Sequence, residues 1–377
     1  MNLSDIARLR LTNQHLVGAG LAKASDVVAV LGAVQAQDYA AAKWAIAQRM
    51  RGAIDRDVEQ AVTDGSIVRT HILRPTWHFV SPRDIRWMLA LTAPRVNAAM
   101  SYHHRTLGLD KAAFRRSGRA LTRALQGGKA LTRSDLANAL TKARLDVKGE
   151  QRLAQMLMSA ELDGIVCNGP RQGKQQTYAL LEERIGAVPS IERDEALARL
   201  AKIYFETRGP ATAADFAWWG GLTMSDAKRA VELVNSNLER KTVDAQTYWF
   251  ASSPSTKGSA SAHAWLLPNF DEYFVAYRDR SAGVQRLDKA GIHVTKMSVL
   301  GNVIVVDGQL VGVWKRALKK NTVVVETSYL TSLTRAEKKA VTSAVERYRE
   351  FVTPWASTVR RRAQTRGGPA NPARKTT

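Results

Sequence analysis

Two apolar runs with helical spacing, Val27 to Val34 and Tyr39 to Met50, flank a short polar interruption, Gln35-Ala36-Gln37-Asp38. The spacing predicts a helix over each run. Ser25 or Asp26 would cap the first and Asp38 the second, since a carboxylate accepts the free backbone N–H groups of a first turn. Gln35 and Gln37 then fall in the connector. On extended backbone, residues two apart point to the same side. Two carboxamides placed this way can hold a water or a substrate atom between them, or simply tie loose helix ends together.

Further along, Asp64-Gly65-Ser66-Ile67-Val68-Arg69 and Asp163-Gly164-Ile165-Val166-Cys167 form a weak internal repeat, each following a helical run and opening a strand. Each then turns at a proline, Pro75 or Pro170, and returns as a second strand, Thr76 to Val80 or Gln176 to Leu181. Helices followed by a two-stranded hairpin make the winged-helix pattern. In the second unit Thr132-Arg133-Ser134-Asp135-Leu136 opens a capped helix and Glu150 to Leu162 is a longer amphipathic one. Asn168 to Gln175 is a Gly-rich wing carrying Arg171 and Lys174. A third unit starts at Gly209, passes Phe216, Trp218 and Trp219, turns at Gly220-Gly221-Leu222-Thr223 and enters Ser225 to Val234, where Lys228 and Arg229 lie. Helix, glycine turn and capped second helix are a helix-turn-helix signature, shared with ordinary helical hairpins.

From about His263 the pattern turns to strands. Val303 to Val306, Asp307-Gly308 and Leu310 to Trp314 form a hairpin; Lys315, Arg316, Lys319 and Lys320 follow, then a strand over Thr322 to Thr327. Thr334 to Phe351 reads as an amphipathic helix, and the stretch from about Arg360 as a disordered basic tail. The expected fold is α+β, with three tandem winged-helix units at 1–110, 111–190 and 191–262. A β-rich region with a closing helix follows at 263–357, and a basic tail at 358–377.

Composition narrows the partner. The 377 residues hold 56 Lys+Arg against 34 Asp+Glu, a formal charge of +22, which points to a polyanion and most often to nucleic acid. An anionic membrane surface is the rival, but there is no long apolar run and no basic amphipathic helix with bulky apolar residues opposite. Met1-Asn2-Leu3-Ser4-Asp5 lacks the features of a signal peptide, so a cytoplasmic, nucleoid-associated protein is expected. The single cysteine, Cys167, excludes an intramolecular disulfide and a Cys-clustered zinc site, and reads as a buried inert thiol. His103-His104 has no Asp, Glu or Cys at ligand spacing, so neither metal nor cofactor is expected.

Several motifs then fall in a telling order. They are Leu31 to Asp38, Val68-Arg69-Thr70, Leu73 to Val80, Ile85 to Leu91, Leu266 to Tyr273, Tyr277 to Ser281, and the hairpin Val306 to Trp314. In this order and spacing the chain resembles the bacterial winged-helix DNA glycosylases of the AlkZ type, from its first helix to about residue 352. Those enzymes excise alkylated purines and unhook interstrand crosslinks. The resemblance implies a catalytic glutamine–apolar–glutamine motif at Gln35, Ala36 and Gln37, in the branch whose second polar residue is glutamine rather than aspartate. Ala36 is a small version of the middle residue. Pro75 stands where glycine is expected and Trp77 where leucine is common, and this departure and the small Ala36 are each expected to reshape the pocket and change which lesion is accepted.

A purine alkylated at N7 or N3 carries positive charge and is already a good leaving group. Its excision requires stabilisation of an oxocarbenium-like sugar and a water held at C1′, which preorganised neutral carbonyls supply. Glutamine cannot be a general base in the ordinary sense. Gln37 is therefore expected to position the water and face the developing cation, with Gln35 orienting Gln37 or sharing that water. His78 and Asp271 are candidate neighbours of the site. Against them stand a structural strand histidine and a turn cap paired with Arg278 or Arg280. DNA contacts are expected from Arg74, Arg171, Lys174, Lys315 and Arg316 at turns and hairpin tips, and from Trp77, Lys228 and Arg280, around a concave basic channel with strong salt dependence. No lysine nucleophile accompanies the pair, so a monofunctional hydrolase leaving an abasic site in double-stranded DNA is expected, and with no obvious dimerisation segment it is expected to act as a monomer. A non-catalytic winged-helix DNA-binding protein, such as a transcription regulator, would share the charge and the helix-turn-helix units.

Overall fold

Gly32 makes the first departure from the apolar pattern. In the computed structural model, which describes residues 1–251, 262–293, 295, 298–319 and 322–353, the helix expected to reach Val34 stops at Leu31. Gly32 adopts φ +72°, and a Cβ there would sit 2.7 Å from Ile203 Cγ2, so the backbone must turn at glycine. Helix α1 (Leu3–Asn13) thus precedes α2 (Ala24–Leu31), whose N-cap is Lys23 rather than Ser25 or Asp26. Ala33–Gln35 then form strand β1, which moves Gln35 out of a connector and into a sheet. Asp38 caps α3 (Tyr39–Ala47), accepting the Ala41 N–H at 3.0 Å.

After α4 (Asp55–Thr63) come β2 (Val68–Ile72) and β3 (Arg74–Val80), in an antiparallel sheet of order β1-β3-β2. The turn between β2 and β3 is made by Leu73 at φ +63°, not by Pro75. Pro75 lies inside β3 where the register shifts between His71 and Ile72, and there the ladder asks no N–H of it.

A helical stretch follows, α5 (Ile85–Thr106) and α6 (Lys111–Leu125). Next come β4 (Leu131–Thr132), α7 (Arg133–Lys142), α8 (Glu150–Leu162), β5 (Val166–Asn168) and β6 (Thr177–Leu180), the strands in order β4-β6-β5. Thr132 caps α7 in a reciprocal capping box with Asp135. Cys167 is buried in β5, and burial pushes its thiol up to about 12. The short α9 (Leu181–Ile185) leads to α10 (Arg193–Arg208), α11 (Ala213–Gly220) and α12 (Met224–Val234), then the hairpin β7 (Glu239–Val243) and β8 (Gln246–Phe250). Gly221, left-handed at φ +61°, makes the expected turn between α11 and α12.

The last part holds β9 (Ala264–Leu267), α13 (Glu272–Val275), α14 (Ser281–Lys289), β10 (Val303–Val306), β11 (Gln309–Lys319), β12 (Thr322–Tyr329) and α15 (Arg335–Val352). Its antiparallel sheet runs β12-β11-β10-β9. Strand β11 continues through Lys315 and Arg316, so these cations stand along a strand and not in the turn expected after Trp314. The expected basic tail, 358–377, and Lys320 lie outside the described residues.

The fold is α+β, and its cores join segments far apart in sequence. One packs β2, β3 and α5 against α10, α11 and α12, with Tyr204, Phe216 and Trp219 fully buried. Another packs α2, α3 and α4 against β9, β10, β11 and α15, where the Trp44 ring lies 5.1 Å from Tyr348. Strand β1 is thereby gripped from two sides while Gln37, just beyond its end, is exposed. No helix among the described residues is long and apolar enough to cross a membrane.

Candidate active site

Strand β1 is an edge strand, and its unpaired backbone groups decide how the site is held. Ala36 faces β3, donating its N–H to Trp77 O at 2.7 Å. By the two-residue alternation of a strand, the Ala33 and Gln35 backbone groups face the open edge. Two buried side chains replace the missing strand. Glu272 Oε1 accepts the Gln35 N–H at 2.9 Å, and Arg208 Nη2 donates to Ala33 O at 2.9 Å. Arg208 also donates to Leu31 O at 2.8 Å and pairs with Glu272 Oε2 at 2.6 Å, which takes Trp219 Nε1 at 3.1 Å as well. Both charged side chains are fully buried, a placement tolerated because the pair and its hydrogen bonds satisfy each other. Nothing in the local sequence pattern marks Arg208 for this role.

The two glutamines have different surroundings. Gln35 is buried, and its Oε1 accepts from Arg74 Nη2 at 2.7 Å. Gln37 Oε1 accepts the Trp77 N–H at a long 3.4 Å. Each carboxamide is thus held by β3 rather than by its partner glutamine. Arg74 also lies 5.7 Å from the Trp218 ring centroid, with Arg280 at 5.9 Å from the same ring. Burial lowers the Arg74 guanidinium to about 10, so it stays a cation at neutral pH.

His78 stands opposite Gln35 across the β1–β3 ladder and is fully buried. Its Nδ1 bonds Thr76 O at 3.0 Å, while Nε2 has no partner among the described residues. Burial first, and then the Arg74 charge, hold its pKa well below the ordinary histidine value, so the ring is neutral. Asp271 is committed elsewhere. Arg49 takes both its oxygens, at 2.9 and 3.0 Å, and it caps α13 through the Tyr273 N–H. The pairing expected with Arg278 or Arg280 is not made: the Arg278 N–H goes to Asp215, and Arg280 Nε to Phe274 O. A buried, doubly engaged carboxylate has no free oxygen for base catalysis.

Trp77, half-buried, is fixed by residues the sequence reading did not select. Its Nε1 donates to Glu161 Oε1 at 3.2 Å, its ring lies 4.3 Å from that of His71, and the Arg69 guanidinium is 4.4 Å from its centroid. His71 and Glu161 are hydrogen-bonded to one another, and Arg69 Nε donates to Ala36 O at 3.1 Å. A signal for Glu161 exists: it is the charged residue on the buried face of α8.

Of the other expected cations, Lys174, Lys228 and Lys315 are exposed. Arg171 is not a free wing-tip charge. It pairs with Glu59 of α4 at 3.2 Å, lies over the Tyr39 ring and bonds Lys174 O, docking the wing on the first helices. Arg316 donates to the Tyr348 hydroxyl at 2.7 Å. Among the described residues no cluster of three His, Cys, Asp or Glu could hold a metal. A trough of about 840 Å³ opens beside Arg69 and Trp77. A larger cavity, about 1090 Å³, between the α1–α2 loop with the start of α2, the α3–α4 loop and α15, is lined by none of the expected site residues.

A family model described as DNA glycosylase AlkZ-like matches residues 28–351. The chain belongs to the AlkZ-like DNA glycosylase family. It is a DNA glycosylase, which decides between the enzyme and the regulator. A curated relative from Streptomyces sahachiroi, named an interstrand DNA cross-link repair glycosylase, is 27% identical over 323 residues, spanning 81% of this chain and 85% of the relative. The solved structure of Streptomyces sahachiroi DNA glycosylase AlkZ matches with a TM-score of 0.76 at 23% identity, over 94% of this chain and 98% of that one, so the two share a fold.

Proposed function

We propose that this glycosylase hydrolyses the C1′–N9 bond of purines made cationic by alkylation at N7 or N3, including those joined in interstrand crosslinks, and leaves an abasic site. The observation that carries the reading is that the titrating groups beside the glutamine motif are engaged in the fold, Asp38 among them through the Ala41 N–H at 3.0 Å and the Asn269 carboxamide at 3.4 Å. His78 is buried and neutral, Asp271 is bound by Arg49, and Glu272 is closed off by Arg208. Such a site suits a leaving group that departs without protonation. The buried Gln35 carbonyl is engaged by Arg74 at 2.7 Å, whereas the exposed Gln37 carbonyl has only a long 3.4 Å contact from the Trp77 N–H, so Gln37 is the glutamine assigned to position water at C1′ and turn its dipole to the cationic sugar. Gln35 and Arg74 fix the strand from which Gln37 projects. A neutral base such as uracil, which needs help to leave, is a poor substrate on this account.

We read the three helix-and-hairpin segments as winged-helix units around a concave basic face, with Lys174, Lys228 and Lys315 toward phosphate and the chain acting as a monomer. The net charge of +22 supports that reading, and the name of the Streptomyces sahachiroi relative, an interstrand DNA cross-link repair glycosylase, supports crosslinked DNA as a substrate. A duplex holding one N7-methylguanine tests the chemistry. Alkaline cleavage should reveal an abasic site after incubation, and borohydride should trap no covalent enzyme–DNA adduct. A trapped adduct, or cleavage only on a uracil duplex, would overturn the proposal.

A further inference from the structure

The trough beside the glutamine motif is larger than excision of a methylated base requires. At about 840 Å³ it falls in the range of roughly 300–1,000 Å³ that buries a drug-sized ligand. Its walls include Trp77 and Tyr178, apolar Val147 and Leu153, and the cations Arg69 and Arg133. The same residues that wall the trough hold the catalytic motif. Arg69 Nε donates to Ala36 O at 3.1 Å, and the Trp77 N–H to Gln37 Oε1 at 3.4 Å. Neither glutamine lines the trough, so it meets the motif through Arg69 and Trp77, and a substituent reaching it would extend past Trp77 from a base at Gln37.

Its chemistry suits a flat, uncharged ring. The Arg69 guanidinium lies over the Trp77 indole, and the indole against the His71 ring, giving an ordered stack with one cationic plane among the trough walls. Guanidinium planes and aromatic faces are the surfaces on which planar ligands stack. The stack is braced in the protein interior, because Glu161 is 2% exposed and holds both Trp77 Nε1 and His71. A cationic substituent would meet both Arg69 and Arg133 against the single exposed carboxylate of Glu150 in the lining, since the Glu161 oxygens are engaged by Trp77 and His71.

We infer that this trough is a specificity subsite that takes a neutral planar aromatic substituent carried by the alkylated purine, while the base itself stays at Gln37. The inference rests on the alkylpurine reading above. The test compares the second-order rate constant of single-turnover excision, with the full chain in excess but below saturation, on duplexes holding one N7-methylguanine or one N7-benzylguanine, each divided by its spontaneous depurination rate. The expected benzyl-to-methyl ratio is about ten, the size of a ring-stacking contact. Ser134→Trp, at an exposed position of α7 that also lines the trough, should fill it, leave methylguanine excision unchanged and bring the ratio to about one. Trp77→Leu should lower the ratio by removing the backing of Arg69. A wild-type ratio at or below one, or a ratio that Ser134→Trp leaves intact, overturns the subsite while Gln37-dependent methylguanine excision stands. An equal fall on both adducts in Ser134→Trp assigns the trough to the general DNA path and overturns it too. No excision of either adduct by wild type removes the alkylpurine reading itself.

Discussion

On the proposed reading the reaction at Gln37 relies on dipoles in place of titrating groups, and this has a pH signature. A histidine whose folded pKa is depressed leaves the unfolded state binding the proton more readily. The stability it contributes is complete above its unfolded value, about 6.5, and falls as pH drops below that. His78 should therefore be an acid-labile point of the fold yet silent in the chemistry. Single-turnover excision should stay within about three-fold between roughly pH 6.5 and 9, because neither glutamine titrates there and Arg74 stays charged. Thermal melts should decline only on the acid side. A sigmoidal rate limb near neutrality would reveal a catalytic acid or base that this account lacks. At this scale the glutamine pair was legible, since two carboxamides interrupt an apolar run. Their partners were not: Arg74 reaches Gln35 from another strand, and a hydrogen bond across a sheet leaves no mark in local spacing.

Among the elements, β1 depends on side chains for what a neighbouring strand would supply. Removing one member of a buried ion pair strands the other charge, at a cost of about 3–5 kcal/mol. Glu272→Ala should accordingly lower stability by about that amount in denaturant titration, and it also frees the Gln35 N–H. A loss under about 1 kcal/mol would mean that water or a local shift satisfies Arg208 and that the edge is not held as described. The longer elements were readable because turn and cap signals bounded them: Thr132 opens α7, Asp307-Gly308 closes the β10–β11 hairpin and Thr334 opens α15. A three-residue strand such as β1 is too short to show an alternation. Its residues continued the apolar face of α2, and only the positive φ at Gly32, a tertiary demand set by Ile203, separates them.

For the whole molecule, the net charge of +22 points correctly to a nucleic-acid substrate but not to the cations that meet it. Composition counts Arg49, Arg171 and Arg208 like any others, yet each is joined to a carboxylate inside the fold. Those pairs join remote segments: Arg49 with Asp271, Arg171 with Glu59, and Arg208 with Glu272. Assembly of the site from parts so distant in sequence explains why motif order revealed the family while the bracing network did not appear until the chain was folded. The central claim is that Gln37 carries out excision and does not merely support the fold. Gln37 is exposed, so Gln37→Ala should fold normally. The decisive measurement runs this variant beside wild type on a duplex with one N7-methylguanine, following single-turnover excision and, separately, DNA binding. The account predicts loss of excision by at least about a hundred-fold, the size of one preorganised oxyanion-type contact, with affinity within a few-fold of wild type. Excision at the wild-type rate, or excision and binding lost together, would contradict it.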